Sequence, residues 1–210
     1  MKKLVVFGDS WPAGAELIDA DQTCFPSIMG DILEIQIDNQ SQSGSSADQA
    51  LLKFINYNLT DCAVLFCFTS YARYIGFDDA KDFEVHPNNR DLASLGYYSE
   101  LYSDELGQFN FLKNILVVQG VCKSSNIPVY CVSNWNTVPN HKLIDLNIFY
   151  KKSLFEILGM TNVTTESAKE YNFKLQMLRN KQYIYPNTAH PNAQGHRLIA
   201  EELASWINSR

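Results

Sequence analysis

Ser10 and His190 are the two residues of this chain whose types and placement most directly permit chemistry. Ser10 follows Leu4-Val5-Val6-Phe7-Gly8-Asp9, an apolar run that ends in a glycine and an acid. Such a run reads as a short buried strand, which puts Ser10 at the carboxyl edge of a sheet, where open α/β sheets hold their ligands. A serine hydroxyl at that edge becomes a nucleophile only if a histidine reaches it as base. Ala189-His190-Pro191-Asn192, just before a terminal amphipathic stretch, supplies one. Acyl transfer further needs donors for the developing oxyanion. The Ser10 N–H can be one, and Gly44, lacking a Cβ, permits the close approach that a second would need. Read blandly, the same residues are a turn serine, a histidine ordering the last helix start and a turn glycine.

These residues need a scaffold, and the hydrophobic pattern outlines it. Ile35-Gln36-Ile37 alternates and reads as a second strand, followed by the polar loop from Asn39 to Ser46. Ala63-Val64-Leu65-Phe66-Cys67-Phe68 is apolar throughout, as in a parallel strand buried on both faces. Ile127 to Val132 reads as the fourth strand, with Pro128 tolerated near its start. Helices are expected from Pro26 to Leu33, from Ala47 to about Asn58 with Ser46 as cap, and from Ser103 to about Ser125. A further one runs from Ala193 to Ile207 with Asn192 as cap. Residues 141 to 180 suggest helical pieces at Leu143–Phe149, Leu154–Leu158 and Ala168–Leu178. Strands alternating with helices imply an α/β doubly wound domain in three layers. The loops at Gly8-Asp9-Ser10, Ser43-Gly44-Ser45 and Phe68-Thr69-Ser70 would then emerge on one edge of a parallel sheet.

Residues 70–103 have no sustained period and carry Tyr71, Tyr74, Phe77, Tyr97, Tyr98 and Tyr102 among Gly, Asn and Asp. They read as an irregular insertion over the site in an otherwise single domain spanning 1–210. Packing of this loop onto the domain accounts for the tyrosines; a sugar-stacking platform is the sharper alternative.

The 210 residues suffice for one well-buried core, and a net charge of −6 with no basic run argues against nucleic-acid binding. Five cysteines with no metal-ligand spacing read as buried thiols, which points to a reducing, cytoplasmic setting. The apolar run after Met1-Lys2-Lys3 is too short for a signal peptide, and no transmembrane-length run follows. His86 and His141 read as solvated loop residues and His196 as structural, so no metal site is expected. The Gly8–Gly14 segment lacks both the dinucleotide and the P-loop glycine patterns, and no cofactor is implied.

The order of these blocks resembles the SGNH (GDSL-type) hydrolases from residue 4 to residue 207. Gly8-Asp9-Ser10 matches the first block, and Asn39 with Gly44 matches the second. His190-Pro191-Asn192-Ala193-Gln194-Gly195-His196 matches the last. The resemblance implies a three-layer flavodoxin-like fold and a serine ester hydrolase. Small acyl esters such as acetylated carbohydrates or lipids would be its substrates. The alternative is an impaired scaffold that binds a glycan or a protein. Two positions depart from the family. Its third-block Asn, an oxyanion donor, falls here on Thr69, or on Ser70 if the register slips by one. Its triad acid, three residues before the histidine, falls on Asn187, which can orient an imidazole but cannot stabilise its charged form. A Thr-Ser-x-x-Arg pattern, Thr69 to Arg73, is similar to members associated with bacteriophages. Arg73 is expected in a surface contact or salt bridge, or near the site as a carboxylate binder. Asp9 is expected to serve loop architecture.

Overall fold

Four parallel strands form the centre of the protein: β1 (Lys3–Phe7), β2 (Gln36–Asn39), β3 (Ala63–Phe68) and, after an intervening hairpin, β6 (Val129–Ser133), in the order β2-β1-β3-β6. The computed structural model describes residues 2–71, 73–77, 82–85, 96–135, 138–159, 182–185, 188 and 190–210. Register follows the apolar runs: Val5 lies opposite Asp38 and Val64, and Phe66 opposite Cys131.

Because side chains alternate across a strand, the two faces of this sheet collect different core residues. Leu4, Val6, Leu65, Cys67 and Val132 face one way, onto helix α2 (Phe25–Leu33), which follows the short α1 (Ala20–Thr23), and onto the C-terminal α6 (Ala193–Asn208). Val5, Phe7, Val64, Phe66 and Phe68 face the other, onto α3 (Ala47–Asn56) and α4 (Asp104–Ser124). The result is helix, sheet, helix. Each fully buried Val, Leu or Phe contributes about 1.5–3 kcal/mol relative to exposure, so both faces must be covered.

The helix starts follow from their caps. Ser46 accepts from the Gln49 N–H at 3.1 Å, and Ser103 from the Leu106 N–H at 3.2 Å. Asn192 accepts from the N–H groups of Gln194 and Gly195.

Two stretches differ from the sequence expectation. The 70–103 segment is not wholly irregular: β4 (Tyr74–Phe77) and β5 (Asp82–Val85) pair as an antiparallel hairpin, and a π-helical turn spans Tyr97–Leu101. Tyr74-Ile75-Gly76-Phe77 does not alternate and so shows no strand period, whereas Asp82-Phe83-Glu84-Val85 does alternate. The Leu143–Phe149 piece holds only a 3-10 turn, Leu146–Ile148. Phe149 leaves it extended to bridge Cys131, and the Tyr150 N–H donates to the Cys131 carbonyl, so sheet-edge pairing replaces a helix. The Leu154–Leu158 piece is helical as expected: it is α5 (Leu154–Ile157), opened at its N-terminus by a Ser153–Glu156 capping box. The expected helix at Ala168–Leu178 lies outside the described residues, as does His86.

All five cysteines are free and buried. Among the described residues no helix is long and apolar enough to cross a membrane.

Candidate active site

The site is built around Asp9, whose carboxylate is fully buried at the carboxyl end of β1. Oδ1 accepts the Trp11 N–H at 3.1 Å and the Asn134 amide at 2.8 Å. Oδ2 accepts the Thr69 hydroxyl at 2.6 Å and pairs with Arg73 Nη1 at 3.3 Å. A buried carboxylate requires donors and a counter-charge, and these come from just beyond β1, β3 and β6. Asp9 thereby ties three strand ends together. The architectural role expected of it is filled, and Arg73 is its salt-bridge partner rather than a free surface cation.

The same arginine atom lies 3.4 Å from the Ser45 carbonyl, so Arg73 also tethers the Gly44 loop. On its other side that loop is fixed by the Gln42 N–H donating to the Gly8 carbonyl at 3.1 Å. Gly8 itself is demanded by packing: a Cβ there would stand 2.6 Å from Pro12 Cγ and 2.9 Å from Cys67 Cβ. Gly44 has φ +85°, a conformation glycine adopts without strain. Asn39 donates its amide to the Pro12 carbonyl at 2.7 Å, joining the loop after β2 to the loop after β1.

Ser10 is 4% exposed and sits on this frame. Beneath its loop Trp11 packs on Phe155 and Trp135, with ring centroids 4.8 and 5.6 Å away. Among the described residues the backbone N–H groups of Ser10 and Gly44 have no acceptor. Both can therefore serve an external oxygen. Thr69 is different. Its single hydroxyl proton goes to Asp9, so in this arrangement the Thr69 hydroxyl supports the carboxylate and has no proton left for an oxyanion. Ser70 is the half-buried start of the next segment, its carbonyl accepting the Arg73 N–H.

His190 is held by backbone pairing between residues 182–185 and 190–192. The Tyr185 N–H donates to the His190 carbonyl at 3.1 Å, and the Asn192 N–H to the Tyr183 carbonyl at 2.9 Å. Gly195 lets α6 approach this segment, since a Cβ there would meet the Tyr183 carbonyl oxygen at 2.4 Å. The ring of His190 meets Glu16: Nδ1 and Oε1 are 2.9 Å apart. Glu16 comes from the turn after β1, where the Ala15 N–H donates to the Ser10 carbonyl at 2.9 Å. The histidine is thus tied to the loop that begins at Ser10.

Sequence reasoning missed Glu16. No spacing marks it, because its partner is 174 residues away. Asn187, expected in that role, lies outside the described residues.

His196 is buried and structural: its Nδ1 accepts the Phe25 N–H at 3.1 Å, satisfying the first turn of α2, and its ring stacks on Phe25. Burial pushes its pKa down to about 4, with the neighbouring His190 acting in the same direction. His141 accepts the Leu143 N–H in a loop. Tyr71 packs on Phe111, and Tyr97, Tyr98 and Tyr102 pack on one another, their ring centroids 5.0–6.0 Å apart.

No protein-family model matches this sequence, and no curated protein matches it either. Solved structures do resemble its fold. A GDSL-like lipase from Bacteroides thetaiotaomicron is 13% identical with a TM-score of 0.55, covering 99% of this chain and 88% of its own. The psychrotrophic esterase EstA from a Pseudoalteromonas species is 15% identical with a TM-score of 0.52, over 100% and 98%. A carbohydrate esterase whose active site displays divergent catalytic and non-catalytic binding functions is 13% identical with a TM-score of 0.51, over 100% and 69%. Identities this low establish a shared fold; the roles of individual residues rest on the site.

Proposed function

This chain has the SGNH-hydrolase fold, and on that premise we propose that it is a serine ester hydrolase acting on small acyl esters, acetylated carbohydrates or lipids among them. The observation that carries this reading is the pair of uncommitted N–H groups, Ser10 and Gly44, on a loop frame locked around a nearly buried serine. Ser10 Oγ attacks the ester carbonyl while His190 Nε2 takes its proton. The tetrahedral oxyanion accepts from the two N–H groups, each such donor lowering the barrier by about 3–4 kcal/mol. Collapse of the intermediate breaks the C–O bond, and the leaving alcohol takes the proton from His190. Water then attacks the Ser10 acyl ester with His190 as base, releasing the acid and restoring the serine.

The test is hydrolysis of p-nitrophenyl acetate by the parent chain, Ser10→Ala and His190→Ala. The reading predicts turnover above background that both substitutions abolish. Turnover surviving Ser10→Ala overturns it. A second reading, a scaffold that binds an acetylated glycan without cleaving it, is favoured by one observation: the Thr69 proton is already committed to Asp9. It predicts saturable glycan binding with no turnover in the parent.

A further inference from the structure

We propose that Glu16 is the acid that positions His190, so that nucleophile and acid come from the one loop after β1 and the histidine from the far end of the chain. The inference rests on the reading of His190 as the base. Three observations carry it. First, both carboxylate oxygens of Glu16 are engaged by the histidine segment. Oε1 meets His190 Nδ1 at 2.9 Å, and Oε2 accepts the Thr188 hydroxyl at 2.7 Å. Thr188 Oγ1 in turn accepts the His190 N–H at 3.2 Å, closing a ring of contacts among the three residues.

Second, the contact selects a nitrogen. An ionised carboxylate can only accept, so Nδ1 carries the proton and Nε2 is left as the basic atom, the one needed to take the Ser10 proton. When that proton arrives, the adjacent carboxylate stabilises the imidazolium without itself being protonated. An amide at position 187 could supply orientation only, and a single Nδ1 proton already bonded to Glu16 needs no second acceptor.

Third, the backbone is bent to deliver this side chain. Glu16 has φ +72°, the left-handed region, which costs a residue with a Cβ about 1–2 kcal/mol. Gly14 precedes it at φ +71°, and the turn is anchored by the Ala15 N–H on the Ser10 carbonyl. An ordinary exposed ion pair requires no such turn. Here the strained turn carries the carboxylate from the Ser10 loop directly to the imidazole.

The experiment compares the parent with Glu16→Gln, Glu16→Asp and Asn187→Asp. Two readouts are used: kcat and KM on p-nitrophenyl acetate, and the 15N shifts of the neutral His190 ring. Glu16→Gln is expected to lower kcat by up to about 10⁴-fold, as for loss of a triad acid, with KM changed less than about twofold. Glu16→Asp keeps the charge and should recover part of the loss, whereas Asn187→Asp should change kcat little. In the ring spectra the parent should show Nδ1 protonated, and Glu16→Gln a rise in the Nε2-protonated tautomer. Unchanged kcat and unchanged ring signals in Glu16→Gln overturn the proposal, as does a large gain from Asn187→Asp. A parent with no turnover removes the hydrolase reading instead, and the ring spectra then decide Glu16 alone.

Discussion

Asp9 carries more of the site than Ser10 does, although it touches no substrate. Four donors converge on its buried carboxylate, and one of them, Arg73, supplies the opposing charge. The Arg73 side chain is 14% exposed and that of Asp9 fully buried, so removing one partner leaves an uncompensated interior charge. Arg73→Met is therefore expected to destabilise the protein by about 3 kcal/mol in urea denaturation. Its effect should shrink when Asp9 is already Asn. A loss below about 1 kcal/mol, the size of an exposed pair, would contradict the hub. At this scale the sequence is informative where chemistry and chain order coincide. Gly8, Asp9 and Ser10 are contiguous, and His190 lies in a recognisable block. Thr69 and Arg73 show as a pattern whose meaning is now physical, since both bond Asp9; the pattern says nothing of origin. Glu16 does not show at all. An acidic residue in a polar turn looks like solvent-facing charge, and only folding reveals that its partner stands at the other end of the chain.

The helices α2 and α6 meet through a buried histidine, and that contact sets a pH dependence. Cys24, the residue capping α2, offers its side chain to none of the first backbone N–H groups of the helix, and His196 Nδ1 accepts the Phe25 N–H instead. Accepting requires the neutral ring, and burial lowers its folded pKa from the ordinary 6.5 to about 4. Below pH 6.5 the unfolded chain takes up a proton that the folded chain refuses. Stability contributed by this group is full above that pH and is lost as pH falls towards 4. The shift corresponds to about 3 kcal/mol. Thermal denaturation against pH should show this loss in the parent and a flatter profile in His196→Gln. Identical profiles would contradict the assignment. Element boundaries were legible wherever burial on both faces produced continuous apolar runs, as in β3, or where a cap preceded a helical face, as at Ser46, Ser103 and Asn192. They were illegible where tertiary pairing overrode local pattern. Phe149 reads as helical by spacing yet lies extended because Cys131 offers it a sheet edge.

On the scale of the whole molecule, the topology explains why residues so far apart in sequence belong to one site. Four parallel strands in the order β2-β1-β3-β6 deliver all their carboxyl ends to one edge. The loops after β1, β2 and β3 are then cross-tied by Asn39, Asp9 and Arg73. The doubly wound architecture was readable because strand and helix signals alternate along the chain, and the solved structures that resemble it share that fold from end to end. What the strand pattern does not contain is the path of the last loop back to the first, which the 182–192 pairing and Glu16 provide. In a serine ester hydrolase built this way, Ser10 is the one serine that the assembly activates. Labelling with a fluorophosphonate followed by peptide mapping tests it most directly. A single adduct on Ser10 is predicted, absent in Ser10→Ala and His190→Ala and absent from the denatured chain. No adduct on the folded parent, or undiminished labelling of Ser10→Ala, would contradict it.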